Sequence, residues 1–178
     1  MSAKYIVDLI GSVVDSMRID ETPYYMYGHP LEVINTLTEY EKHPKMKLMK
    51  YPLIVLFQDF EEAKGRHQGI DSDVSLNLII CTNTLAKYKS AERYELNFKP
   101  VLYPLYDLFL EKLASCGYFS GTLGNFQHTK IDRMYWGKNG LYASEGNIFN
   151  DRLDAIEIKN LELSVLNKSN NCKKCTIN

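Results

Sequence analysis

Residues 51–62, "YPLIVLFQDFEE", and residues 73–84, "DVSLNLIICTNT", decide the fold. The first holds an unbroken apolar run from Leu53 to Phe57, the pattern of a strand buried on both faces, with Pro52 tolerable only near its start. The second alternates Val74, Leu76, Leu78 and Ile80 against Ser75 and Asn77, the period of two for a strand with one face in the core. The two runs are expected to pair antiparallel. Their connection, "AKGRHQGIDS", is too long for a tight turn and carries Gly65, Arg66, His67 and Gly69, so it is expected to project as a mobile polar tip.

On the N-terminal side of this hairpin, Ile6, Leu9, Ile10, Val13, Val14 and Met17 recur at three- and four-residue steps, one helical stripe facing a core. Pro23, Gly28 and Pro30 then break the pattern around a cluster of tyrosines, which indicates a turn or a short strand. Residues 31–37 fit either a strand or a short helix, and "EKHPKMKLMK" reads as an exposed basic loop. On the C-terminal side, "NFKPVLYPLYDLFLEKLASCGYF" (97–119) places Val101, Leu102, Leu105, Leu108, Phe109, Leu113 and Cys116 at helical spacing, with Gly117 as a stop. Pro100 and Pro104 stand at its mouth. Because first-turn N–H groups lack partners anyway, prolines are tolerated there, and the regular helix is expected to begin near Tyr103.

Two further runs, "HTKIDRMYWG" and "LDAIEIKNLELSVL", alternate as strands, the second with a slip at Lys159 and Asn160 that suggests a bulge. The order implies an α+β fold: a largely antiparallel sheet with a long β-hairpin and packed helices. One domain is expected over residues 1–166, with an insertion at about 121–150 and a flexible tail at 167–178.

Composition narrows the function classes. Twenty-one Lys and Arg nearly cancel 22 Asp and Glu, so no global field steers the chain to nucleic acid or an anionic membrane. No apolar run approaches the ~20 residues of a membrane span, and Asp8 and Asp15 interrupt the N-terminal pattern, which therefore reads as neither signal peptide nor anchor. Cys81 and Cys116 fall in strand and helix positions as small hydrophobes, whereas Cys172 and Cys175 form a lone C-x-x-C in the polar tail; a reducing compartment follows. Nucleotide-loop, nucleophile-elbow and zinc-helix motifs are absent, and no catalytic, cofactor-binding or metal-binding residue is assigned.

Weaker candidates remain. His29, His43, His67 and His128 are scattered through loops and strand starts, as solvated histidines are. Asp59, Glu61, Glu62, His67, Asp71 and Asp73 gather around the hairpin, where carboxylates could hold a divalent cation in a metal-dependent enzyme or merely solubilise the tip. The chain has 13 tyrosines, and Tyr24, Tyr25, Tyr27, Tyr51, Tyr94, Tyr103 and Tyr118 lie in loops or beside prolines. Tyrosine in such places serves interfaces or completes a core, and a cytosolic protein-binding adaptor would use it equally well.

The N-terminal amphipathic helix, the hairpin "YPLIVLFQDFEE…DVSLNLIICTNT", the phrase "FKPVLYPLYDLFLEKL" and the closing "NDRLDAIEIKNLEL" together resemble the neck and tail-completion proteins of tailed bacteriophages, tail terminators in particular. The likeness spans roughly residues 3–166 and rests on element order and phrasing rather than a signature motif. It implies a non-enzymatic homo-oligomeric ring, commonly of six subunits or a multiple. Such a ring assembles in the host cytoplasm into the virion between portal and tail, contacts other neck and tail proteins, and lets DNA pass non-specifically through its lumen. The insertion at 121–150 and the tail after 166 depart from compact members and leave connector, stopper, terminator and adaptor positions open. On this reading the tyrosine-rich turn at 23–30 and the insertion supply the two patches a closed ring needs.

Overall fold

The computed structural model describes residues 5–20, 22–65, 69–120, 126–134 and 151–166. The hairpin forms as its alternation demands. Strand β2 (Leu53–Phe57) pairs antiparallel with the long strand β4 (Ile70–Asn83), Leu53 opposite Cys81 and Leu56 opposite Leu78. Beyond β2 the chain kinks through Asp59 (φ 81°) and rejoins the same side of β4 as β3 (Glu61–Lys64), Glu61 opposite Ser75. Much of the connection expected to be a polar tip is thus ladder. The turn contracts to the neighbourhood of Gly65 and Gly69, both at positive φ, and residues 66–68 lie outside the described residues. β3 escaped the sequence reading because Glu61, Glu62 and Lys64 bury no face; backbone pairing alone makes it a strand.

Strand β7 (Leu153–Leu166) covers the other side of β4 along its whole length. Leu76 pairs with Leu161 and Leu78 with Ile158, so β7 takes three steps where β4 takes two. The extra residue is the bulge foreseen at Lys159 and Asn160. Asn160 sits at φ 52°, and its N–H donates to Asn77 Oδ1 at 3.1 Å. Strands β5 (Phe119–Ser120) and β6 (Thr129–Arg133) flank β7, so the stretch 121–150 includes an integral sheet strand rather than being wholly an insertion. Strand β1 (Tyr24–Gly28) runs parallel to β2, the one parallel pairing beside five antiparallel ones among the described strands. The fold is α+β.

Helices cover both sheet faces. Helix α1 (Ile6–Asp15) lays the buried stripe Ile6, Leu9, Ile10, Val13 and Val14 on the face that carries Ile54, Leu56, Leu76, Leu78 and Ile80. The ambiguous residues 31–37 belong to helix α2 (Pro30–Glu41), whose Val33 and Leu37 cover the opposite face over Leu53, Val55, Ile79 and Cys81. β4 is therefore one-faced only in its first half, where Ser75 and Asn77 are exposed; Ile79 and Cys81 are buried because α2 lies above them. A short helix α3 (Pro44–Lys47) interrupts the basic loop, and Lys50, expected to be exposed, is buried.

The two prolines have a specific setting. Helix α4 (Ser90–Arg93) runs directly into a nine-residue π-helical segment (Tyr94–Leu102), which passes into helix α5 (Tyr103–Ser115). Regular α-helix does begin at Tyr103, but the chain is already helical from Ser90. A proline ring collides with the carbonyl four residues back and offers no N–H. The wider π turn relieves both problems: Tyr103 N–H donates to Phe98 O, five residues back, around Pro100. Fully buried Arg93 fixes this segment to the sheet. Its Nη1 donates to Asp154 Oδ1 at 2.7 Å, its Nε and Nη2 reach the Tyr88 and Leu85 carbonyls, and Asn97 Nδ2 donates to Asp154 Oδ2 at 2.7 Å. Gly117, at φ 66°, ends the helix as expected.

Candidate assembly surface

The strand order is β1-β2-β4-β7-β5, with β3 beside β4 and β6 beside β7, so β1, β3, β5 and β6 form the sheet margins among the described residues. The margins differ in chemistry. β3 reads "EEAK" and β6 reads "TKIDR", charged sequences of the kind that discourage edge pairing, whereas β1 reads "YYMYG" and carries no charge.

β1 is held from three sides. Tyr24 N–H donates to Pro52 O at 2.9 Å, and the strand continues in register with β2 from Tyr24 opposite Leu53 to Gly28 opposite Phe57. Tyr25 turns inward: its hydroxyl donates to Val7 O at 3.2 Å, and its ring occupies the space a side chain on Gly11 would need. Burial and the neighbouring Tyr27 push the Tyr25 hydroxyl pKa up. Tyr24 and Met26 pack under α2. Residues 23–30, expected to lie outside the core, thus anchor in it through alternate side chains and leave Tyr27 outward, 40% exposed, with its ring 6.5 Å from that of Phe60. Gly28 (φ 152°) makes the sharp exit; a Cβ there would meet Glu32 Oε2 at 3.0 Å. His29 is a helix cap, its Nδ1 accepting from Leu31 N–H at 3.2 Å ahead of Pro30 at the first turn of α2. Leu31 follows, 63% exposed.

A second apolar surface lies on the long helix. Phe109 and Leu113 are buried, while Leu105, Leu108 and Leu110 pack against the core yet remain half-buried. At about 100° per residue, Leu108 and Leu110 stand on opposite flanks of Phe109, so the apolar arc spans about 200°, more than one sheet face can cover. Tyr94 and Leu96 on the π-helical segment are also exposed. Nearby, Tyr103 OH donates to Asp132 Oδ2 at 2.7 Å, a bond that pushes the phenol up to about 12, and Lys130 Nζ lies 4.5 Å from the Tyr103 ring centre. His128 is fully partnered: Nδ1 donates to Phe126 O and Nε2 accepts from Tyr106 OH, each at 2.6 Å, since a carbonyl can only accept.

The other candidates do not converge. Glu62 pairs with Lys64, Asp73 accepts from Ser164 Oγ, and Asp59 and Glu61 are exposed. Among the described residues no three His, Cys, Asp or Glu side chains stand together as metal ligands. Cys81 is wholly buried, its thiol pKa pushed up by desolvation, and Cys116 caps the end of α5 with Sγ directed to Leu113 O. His43 is exposed at the start of α3. His67, Cys172, Cys175, the tail 167–178 and residues 121–125 and 135–150 lie outside the described residues. Tyr51 packs its ring against the core beneath α2, and its hydroxyl donates to Asp151 Oδ2 at 2.7 Å in a polar cleft that no sequence pattern signalled. The chain matches no protein-family model and no curated protein sequence.

Proposed function

We propose that the chain is a structural subunit of an oligomeric ring in the neck of a tailed bacteriophage, in the connector or tail-terminator region that joins portal and capsid to the tail. The observation that carries this reading is β1, a sheet margin with no charge, no interior proline and an exposed tyrosine, bordered by exposed Leu31. A soluble monomer guards such an edge, and a subunit of an assembly pairs it. The wide apolar arc of α5, with Tyr94 and Leu96, supplies the second, different patch that a closed head-to-tail ring requires. The order of elements agrees with the resemblance noted above, and the rigid union of Arg93 with Asp154 suits a part that must keep its shape under load. The ring resides in the virion after assembly in the host cytoplasm, contacts other neck and tail proteins, and performs no catalysis.

Mass photometry of the purified chain is expected to show a closed species of six subunits or a multiple. Tyr27→Lys, which places a guarding charge on an exposed edge position, should leave the circular dichroism spectrum unchanged and return the protein to monomer. Antibody labelling of intact particles should mark the neck. A wild-type monomer at micromolar concentration, or labelling elsewhere on the particle, would refute the assignment.

A further inference from the structure

Where α2 and α3 end and β2 and β7 begin, the structure has an open cleft of about 350 Å³. Its carboxylates are already engaged. Lys50 Nζ, almost fully buried, donates to Glu41 Oε2 at 2.8 Å and Asp151 Oδ2 at 2.7 Å, Lys47 holds Glu41 Oε1 at 2.8 Å, and Tyr51 OH donates to the same Asp151 oxygen. The side-chain donors on the opposite wall have no partner among the described residues. Arg152 lines the cleft with no partner for its guanidinium among the described residues; only its backbone carbonyl is used, accepting from Thr84 N–H at 2.9 Å. Thr84, 7% exposed and lining the same cleft, has a buried hydroxyl with no hydrogen-bond partner among the described residues. An ammonium has three N–H bonds, so Lys50 retains one more to give after its two carboxylates. Among the described residues that line the cleft, three cations (Lys47, Lys50, Arg152) face two carboxylates (Glu41, Asp151), an excess of one positive charge.

A wall of unused donors with one excess positive charge calls for an oxyanion, and a guanidinium matches a carboxylate by two parallel N–H···O bonds. We infer that this cleft is a carboxylate-binding site in which Arg152 supplies the ion pair and the Thr84 hydroxyl a further donor. The carboxylate has two possible sources: a small free acid, for which the volume suffices, or an Asp or Glu side chain of a neighbouring copy. The second source rests on the ring reading above and the first does not.

The test uses the full chain with succinate as probe and sodium chloride at matched ionic strength as control. Succinate should raise the melting temperature of the wild type by a few degrees. Arg152→Gln, which melts as the wild type does without ligand, should bind succinate at least tenfold more weakly. Thr84→Val should melt at or above the wild type, because it removes an unsatisfied buried hydroxyl, and yet lose most of the succinate response. A purely structural role for Thr84 would move only the first of these readouts. Loss of the succinate response in Arg152→Gln with self-association unchanged supports the site and identifies a free acid as its occupant. A tenfold weakening of self-association in Arg152→Gln, with succinate dissociating the wild-type assembly, supports the site and identifies the neighbour's carboxylate. If succinate neither stabilises nor dissociates the wild type and Arg152→Gln assembles normally, the inference is overturned. A chain that is monomeric at every concentration sinks the ring reading but leaves the succinate response to decide this one.

Discussion

Asp154→Ala is the substitution whose cost the structure specifies most closely. Asp154 and Arg93 are both fully buried, and Asp154 accepts from Arg93 Nη1 through one oxygen and from Asn97 Nδ2 through the other, each at 2.7 Å. Removing the carboxylate takes the Asp154 charge away from the buried Arg93 guanidinium, which costs about 3–5 kcal/mol, and leaves the Asn97 amide short of an acceptor for about 1 kcal/mol more. For a chain of this size each kcal/mol lowers the melting temperature by about 2–4 °C, so a fall of about 10–20 °C is expected, together with a urea midpoint near zero if total stability is at the low end of the usual range. Urea and thermal melts followed by circular dichroism measure both. The double variant Arg93→Met/Asp154→Leu removes both charges and should recover most of the loss. It should not recover all of it, because the Leu85 and Tyr88 carbonyls lose the donors that Arg93 gave them. A loss below about 1 kcal/mol in Asp154→Ala would show that the π-helical segment does not depend on this pair, and the account of how it is fixed to β7 would be wrong.

Asn160→Gly should change stability by only a few tenths of a kcal/mol, whereas Asn160→Val should cost at least about 1 kcal/mol, because φ 52° at the β7 bulge excludes a β-branched residue; equal melts for the two variants would refute the bulge geometry. The phenol of Tyr103 has its pKa raised from 10.0 to about 12, chiefly by the bond to Asp132, so the stability it contributes is complete below about pH 10 and is lost as pH rises through 12. Tyr25, Tyr51 and Tyr106 also titrate late, so absorbance titration of the tyrosinates should show a group near 12 that alone moves toward 10 in Asp132→Asn. On the proposed ring reading, the assembly should persist when salt is raised from about 0.1 M to 1 M, where the Debye length shrinks from roughly 10 Å to 3 Å; dissociation, followed by light scattering, would identify charge pairing rather than apolar burial as the main cohesion.

The sequence alone determined the elements whose burial is periodic. A residue that repeats its environment every two or 3.6 positions leaves that period in the sequence, and so Ile6–Asp15, the paired strand from Val74 onward and the helix at Phe109 are legible, as is the bulge at Lys159 and Asn160, where the alternation slips by one; Leu53–Phe57, buried on both faces, is legible instead as an unbroken apolar run. Tertiary structure decided what has no local period. β3 is a strand because β4 offers it hydrogen bonds, and α2 is a helix over a second sheet face that becomes apolar only where Ile79 and Cys81 lie beneath it. The π-helical segment exists because Pro100 and Pro104 must be accommodated while Arg93 is tied to Asp154, 61 residues further along the chain. The cleft has the same origin. Lys50 reads as one more lysine of a basic loop until the fold brings Glu41 and Asp151, the latter 101 residues away, within hydrogen-bond reach of its ammonium. A buried charge is stable only where partners distant in sequence converge on it, and that convergence is a property of the packed chain rather than of any segment of it.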